Sequence, residues 1–192
     1  MKKTGLTLFV LFLGLQLWAQ TGLKTGQQAP EFTAKASDGT NINLKTLLKK
    51  HQNVVLFFYR GWWCPYCNKH IKQLQDSLQL LSKKGAFVIG VTPESENAVI
   101  RTREKTTATF PIISDKNYTI MKAYGVDFTM EKELQDKYKK YGVDVALNND
   151  SKDAILPIPA TYVIGASGKI KYVQFNKDYT KRASVSTILS ML

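Results

Sequence analysis

A chain of 192 residues, 44% of them apolar, carries enough material for one domain with a sizeable core. Two cysteines are too few for a disulfide scaffold, which uses four or more. The formal charge of +12 is scattered in pairs such as Lys49–Lys50, Lys83–Lys84 and Lys139–Lys140, without the interleaved aromatics of a nucleic-acid groove. It reads as a basic surface, with at most a weak attraction to an anionic envelope or an acidic partner.

The first residues, MKKTGLTLFVLFLGLQLWAQ, hold a positive start at Lys2 and Lys3 and an apolar run from Leu6 to Leu17. Such a run falls short of the roughly 20 residues that span a bilayer. Ala19 and Gln20 follow, so residues 1–20 are expected to be a cleaved secretory signal. The mature domain, residues 21–192, is then exported, to the periplasm or the exterior, and keeps no membrane span. An oxidising compartment preserves disulfides.

Within that domain, Glu31 to Lys35 and Asn41 to Leu44 form an N-terminal extension. Val54 to Tyr59, VVLFFY, is a continuous β-prone run and predicts a central strand buried on both faces. Cys67, Ile71, Leu74, Leu78 and Leu81 recur at helical spacing, and Gly85 stops that helix. Ala86 to Val91 predicts a second buried strand, completing a βαβ unit. A helix is expected from Ser95 to about Glu104, with Glu94 and Glu96 placed in its first turn. An extended piece follows at Phe110 to Ile113. Tyr124 to Leu156 reads as an insertion, with Met130, Leu134, Tyr138 and Tyr141 on one face of a lysine-rich helix and a solvated loop at Asn149 to Asp153. ILPIPATYVIGASGKIKYVQF predicts a hairpin turning at Ala166, Ser167 and Gly168. Ala183 to Met191 is a last helix. The expected fold class is α/β, with a mixed sheet between two helix layers.

Both cysteines lie in RGWWCPYCNKH, residues Arg60 to His70. A bridge between Cys64 and Cys67 closes a tiny loop and removes little chain entropy, so a structural staple is a poor reading. A structural zinc site needs four ligands, and only His70 and His51 could join the pair. Haem attachment needs a histidine directly after the second cysteine, where Asn68 stands. No metal or other cofactor is expected. A redox pair remains. Cys64 sits where strand gives way to helix, so backbone N–H groups and the helix dipole would stabilise its thiolate. Pro65 suits the first helical turn. His70 is expected on the helix surface rather than as a base. Trp62, Trp63 and Tyr66 supply packing and an apolar rim. The central strand carries no carboxylate under the thiols.

VVLFFYRGWWCPYC, with IPATYVI and a hairpin ending in GKI, resembles the thioredoxin superfamily. The closer resemblance, over nearly all of Gly26 to Leu189, is to the peroxiredoxin-like branch of the alkyl hydroperoxide reductase/thiol-specific antioxidant group. GQQAPEFTAKASDGTNINL, YGVDFTMEKELQDKYKKYGVDVAL and KDYTKR carry it. Cys-Pro-Tyr-Cys also resembles the glutaredoxin site. The resemblance implies a thioredoxin-like fold with an insertion before a cis-proline, Pro159, reached through the Ile158–Pro159 bond and followed by Thr161. It implies an antioxidant oxidoreductase cycling a Cys64–Cys67 dithiol and disulfide, with Arg60, Trp63, Pro65, Tyr66, Pro159 and Thr161 in support. Its partners would be a peroxide or disulfide substrate and a thioredoxin-type or other thiol reductant. The chain departs from peroxiredoxins proper in two places. Aligned on Cys67, their Pro-x-x-x-Thr/Ser-x-x-Cys pattern puts Arg60 and Cys64 at the Pro and Thr positions. Their peroxide-polarising arginine aligns with Pro159, leaving Arg60 or Arg182 as substitutes. Two orders of attack stay open: Cys64 first on a disulfide, or Cys67 first on a peroxide. A thioredoxin-fold binding module with an idle bridge is the non-enzymatic alternative.

Overall fold

The computed structural model describes residues 22–192; the expected signal segment lies outside the described residues. The N-terminal extension is an antiparallel hairpin of β1 (Thr33–Lys35) and β2 (Asn41–Asn43). Asn43 accepts from the Thr46 N–H and so caps α1 (Leu44–Lys50), which buries Leu44 and Leu48.

The apolar run becomes β3 (Asn53–Phe58), buried along its whole length. After it come α2 (Pro65–Asp76), α3 (Leu78–Lys83) and β4 (Ala86–Thr92). The single helix expected up to Gly85 is thus broken. Ser77 leaves helical geometry at φ −103°, ψ 4°, and the chain restarts with Leu81 still buried. Gly85 ends α3 at φ +73°, a left-handed conformation that suits glycine. Ser95 caps α4 (Glu96–Thr106) by accepting from the Ala98 N–H, and β5 (Ile112–Ser114) and α5 (Thr119–Ala123) follow.

The insertion folds on its own small hairpin. β6 (Asp127–Thr129) pairs antiparallel with β7 (Ile155–Pro157), and between them lie α6 (Lys132–Lys140) and α7 (Val145–Asn148). Met130, Val145, Ala154 and Leu156 make a satellite core there, with Trp63 packed against it. β8 (Ala160–Gly165) and β9 (Ile170–Phe175) form the expected hairpin, with Gly168 at φ +79° in the turn. The last helix, α8 (Val185–Ser190), starts on a Ser184 cap.

The five-stranded sheet has the order β5-β4-β3-β8-β9. β4 runs parallel to β3 and β5, while β8 is antiparallel to β3 and β9. Alternate residues of the central strand feed two cores, as the period of two demands. Val54, Leu56 and Phe58 pack toward Leu44, Met121 and Tyr124. Val55, Phe57 and Tyr59 pack toward Cys67, Ile71, Leu74, Val99 and Ile188. The fold is the expected α/β sheet between two helix layers, and the cysteines sit in the second core at the end of its central strand.

One expectation fails at the entry to β8. The described residues contain no cis peptide bond, so Ile158–Pro159 is trans. β7 is held against β6 and the Ile158 N–H bonds the Val126 carbonyl at 2.7 Å, an arrangement in which the Ile158–Pro159 bond keeps the ordinary trans preference.

Candidate active site

The cysteine loop is built from the carboxyl end of β3. The Cys64 N–H donates to the Gly61 carbonyl at 3.0 Å, which tightens residues 61–64 into a turn. The Trp62 N–H donates to Glu94 Oε1 at 2.7 Å, and Asn68 Nδ2 donates to the Trp62 carbonyl at 2.7 Å. Gly61 is needed for close approach: a Cβ there would stand 2.5 Å from Trp63 Nε1 and 2.8 Å from Glu94 Oε1. Cys64 is the N-cap of α2 and Pro65 its first residue, as expected from the sequence.

Both cysteines are thiols in this structure and both are buried, Cys67 completely and Cys64 to 2% exposure. They do not share the charge evenly. Cys64 donates to the Cys67 sulfur, which together with burial pushes the Cys64 thiol well up. Burial opposes ionisation of Cys67 too. There, however, the Cys64 donation, the Arg182 guanidinium and the Arg60 backbone N–H outweigh it and bring the group down to about 6. Arg182 Nη2 lies 3.3 Å from Cys67 Sγ. Arg182 comes from the turn between β9 and α8, fixed there by Nη1 donating to the carbonyls of Tyr179 and Lys181. The helix-start argument favours Cys64, whereas the donors found around the pair favour the charge on Cys67. The cap position of Cys64 holds, but direct donors and a guanidinium at Cys67 outweigh the dipole at Cys64.

Arg60 also reaches the site, on the Cys64 side. It is 4% exposed and its guanidinium carbon lies 4.4 Å from the Tyr179 ring centroid, 5.0 Å from Trp63 and 5.4 Å from Tyr138. Arg60 Nη2 donates to the Tyr138 hydroxyl, while Nε has no hydrogen-bond partner. Tyr138 stacks edge-on against Trp63 at 5.6 Å, so α6 of the insertion is pinned over the cysteine loop. Between them lies a cavity of about 380 Å³ that touches Arg60, Trp63, Cys64, Lys137, Tyr138 and Tyr179. Pro65 and Tyr66 line its exposed side. Thr161 is buried on β8, opposite Phe57 and on the cysteine-side face that it shares with Val163. Pro159 is buried at the strand entry, where its carbonyl accepts from the Asn176 N–H.

Two residues stand where sequence reasoning did not put them. Glu94 does not stand in the first turn of α4. It precedes the Ser95 cap and is fully buried. Besides the Trp62 N–H, its carboxylate accepts from Thr102 Oγ1 at 3.3 Å and Thr92 Oγ1 at 3.5 Å. Burial first, offset by these donors and reinforced by the negative charge of Cys67, lifts it to about 7. His70 is not on the surface but 3% exposed, edge-on to Phe57 at 5.5 Å. Burial, with Arg182 nearby, holds it down at about 3, so it is neutral. The helix spacing carried a signal for His70, which falls one turn after buried Cys67 and beside Ile71. Among the described residues no group of three or more His, Cys, Asp or Glu could hold a metal ion, and no helix is long and apolar enough to cross a membrane.

The AhpC/TSA family model matches residues 25–173. Peroxiredoxin Bcp of Escherichia coli K12 is 28% identical over 151 residues, covering 79% of this chain and 85% of that protein. Peroxidoxin BcpB of Mycobacterium tuberculosis superposes with a TM-score of 0.67 at 20% identity, over 88% of this chain and 96% of that one. The reduced 2-Cys peroxiredoxin of Plasmodium vivax gives 0.64 at 20% identity, over 87% and 93%.

Proposed function

The chain belongs to the AhpC/TSA family and is an oxidoreductase of the peroxiredoxin type, and we propose that Cys67 attacks a hydroperoxide, that Cys64 resolves the product, and that the protein acts outside the cytoplasm. The observation that carries the order of attack is the Arg182 guanidinium 3.3 Å from Cys67 Sγ. The Cys67 thiolate attacks the terminal oxygen of ROOH. An S–O bond forms, the O–O bond breaks, and RO⁻ leaves to take a proton. The sulfenic acid on Cys67 then condenses with the Cys64 thiol, which forms the disulfide and releases water. Two electrons from a thiol reductant restore the dithiol. Arg182 steadies the thiolate and is within reach of an oxygen bonded to that sulfur.

Single variants test this order. Cys67→Ser is expected to abolish peroxide consumption. Cys64→Ser is expected to complete one turnover and hold a sulfenic acid on Cys67, read by a dimedone adduct in mass spectrometry. A sulfenic acid found on Cys64 instead would overturn the assignment.

One observation favours a second reading, thiol–disulfide exchange begun by Cys64. The cavity meets Cys64, while Cys67 is completely buried. On that reading neither Cys64→Ser nor Cys67→Ser consumes peroxide, and Cys67→Ser traps substrate disulfides on Cys64. Export rests on Lys2, Lys3, the run Leu6 to Leu17, and Ala19–Gln20. The mature protein is expected in the periplasmic or extracellular fraction with a mass that lacks residues 1–19 or 1–20; a full-length cytoplasmic protein would sink it.

A further inference from the structure

We propose that the Cys64–Cys67 disulfide is reduced by a low-molecular-weight thiol bearing a carboxylate, which enters the cavity over Cys64 and is received by Arg60 and Lys137. The inference rests on the reading above in one respect: it needs that disulfide to form in the catalytic cycle.

The cavity selects which sulfur is attacked. It touches Cys64 and not Cys67, which has no exposed surface. A thiolate in the cavity therefore attacks the Cys64 sulfur. The S–S bond breaks and the electron pair leaves on Cys67, where Arg182 stands ready to hold the charge. The lower-affinity sulfur for protons is the faster leaving group, so access and polarity agree. A second thiolate attacks the mixed disulfide at its own kind of sulfur and returns Cys64, which takes a proton. Two RSH become RSSR, and the protein regains its dithiol.

Size argues for a small molecule. Cys64, only 2% exposed, lines the cavity together with Trp63 and the α6 residue Tyr138, which are stacked on each other. A volume of about 380 Å³ suits a small ligand.

Charge argues for an anion. No Asp or Glu lines the cavity, and among the described residues no carboxylate pairs with Arg60 or Lys137. Arg60 is 4% exposed and its Nε is unpartnered, although a buried cation is stable only when paired or well solvated. Three aromatic rings offset part of that cost, and a carboxylate from the ligand would offset more. Lys137 is exposed at the rim, where it adds a second point of attraction.

The test uses oxidised protein, its disulfide made with one equivalent of hydrogen peroxide and separately with diamide. Its reduction is timed with 3-mercaptopropionate, 2-mercaptoethanol and cysteamine, each rate divided by thiolate concentration, and with a thioredoxin-type dithiol protein. The carboxylate thiol is expected to exceed the neutral one by about tenfold, the worth of one charge-assisted hydrogen bond. Lys137→Gln, on an exposed helix face, and Arg60→Gln are expected to bring that ratio toward one. Lys35→Gln, exposed on β1, is expected to leave it unchanged. A ratio near one in the unaltered protein overturns the proposal. So does an equal fall with Lys35→Gln, which would make the preference one of bulk charge. A protein dithiol that is tenfold faster, and indifferent to Arg60 and Lys137, overturns it in favour of a protein reductant. If the disulfide forms with diamide but not with peroxide, the peroxidase reading fails, and the thiol ratio on the diamide-made disulfide still decides this one.

Discussion

Replacing Arg182 by glutamine is expected to slow peroxide consumption by about a hundredfold or more, the usual loss when one preorganised donor to a developing charge is removed. The loss has two parts, and pH separates them. Cys67 is held at about 6, first against burial, by the Cys64 donation and the Arg182 charge. The thiolate fraction rises with pH, so the rate in the unaltered protein is expected to climb through pH 6 and then level. Without the guanidinium the midpoint moves up, toward the ordinary thiol range. That shift alone changes the rate little at neutral pH. A more basic thiolate is scarcer but more nucleophilic, and with a Brønsted slope of about 0.4–0.5 the two effects largely offset. Above the shifted midpoint both proteins are fully ionised. A deficit that persists there measures stabilisation of the breaking O–O bond. Stopped-flow peroxide loss from pH 5 to 10, with Arg182→Lys as the charge-preserving comparison, reads both parts. Rates that converge at high pH would confine Arg182 to thiolate formation.

Arg182 also shows where sequence reasoning stops. It lies 115 residues from Cys67 and meets it only because β9 and α8 bring their connecting turn over α2. The sequence offers Arg60 and Arg182 as equals, and only the packing separates them, one at Cys67 and one among aromatic rings at Cys64. Local signals fared better. Val54–Tyr59 and Ala86–Val91 are short apolar runs rich in β-branched and aromatic residues, which favours buried strands over helix. The hairpin turning at Gly168 is equally local. The insertion was legible as a lysine-rich helix, but not its task. Tyr138 reaches Trp63 and Arg60 through a satellite core assembled from five separate segments. The proline was misread. The resemblance implies a cis bond, and the chain between β7 and β8 takes the ordinary trans form.

Glu94 is the most consequential residue that local reasoning hid, because an acid near a helix start is ordinarily solvated and stabilised by the dipole. Here it is buried, and it joins the cysteine loop to α4 through the Trp62 N–H and Thr102. Its folded-state value, about 7, stands above the ordinary 4.5, chiefly through burial. A folded state that holds a proton longer than the unfolded chain is favoured at low pH. The contribution is whole below pH 4.5 and is lost as pH rises through 7. A shift of that size corresponds to about 3 kcal/mol. Glu94→Gln keeps an acceptor for Trp62 and cannot ionise. Its stability is therefore expected to lack that fall, so that the two proteins diverge between pH 4.5 and 7.5 with the variant gaining on the native residue. The comparison belongs on a Cys67→Ser background, where the thiolate neither titrates in the opposite sense nor adds to the Glu94 shift, so that the divergence left is the part that burial causes. Denaturant midpoints, or melting temperatures that move about 2–4 °C per kcal/mol in a domain of this size, would report it. Parallel curves for the two proteins would mean that Glu94 ionises as freely inside as in water. Divergence would explain how the site tolerates a thiolate at Cys67. While the Cys67 sulfur takes on its charge, the Glu94 carboxyl, raised by burial and by that charge, gives up its proton later than an ordinary carboxyl would.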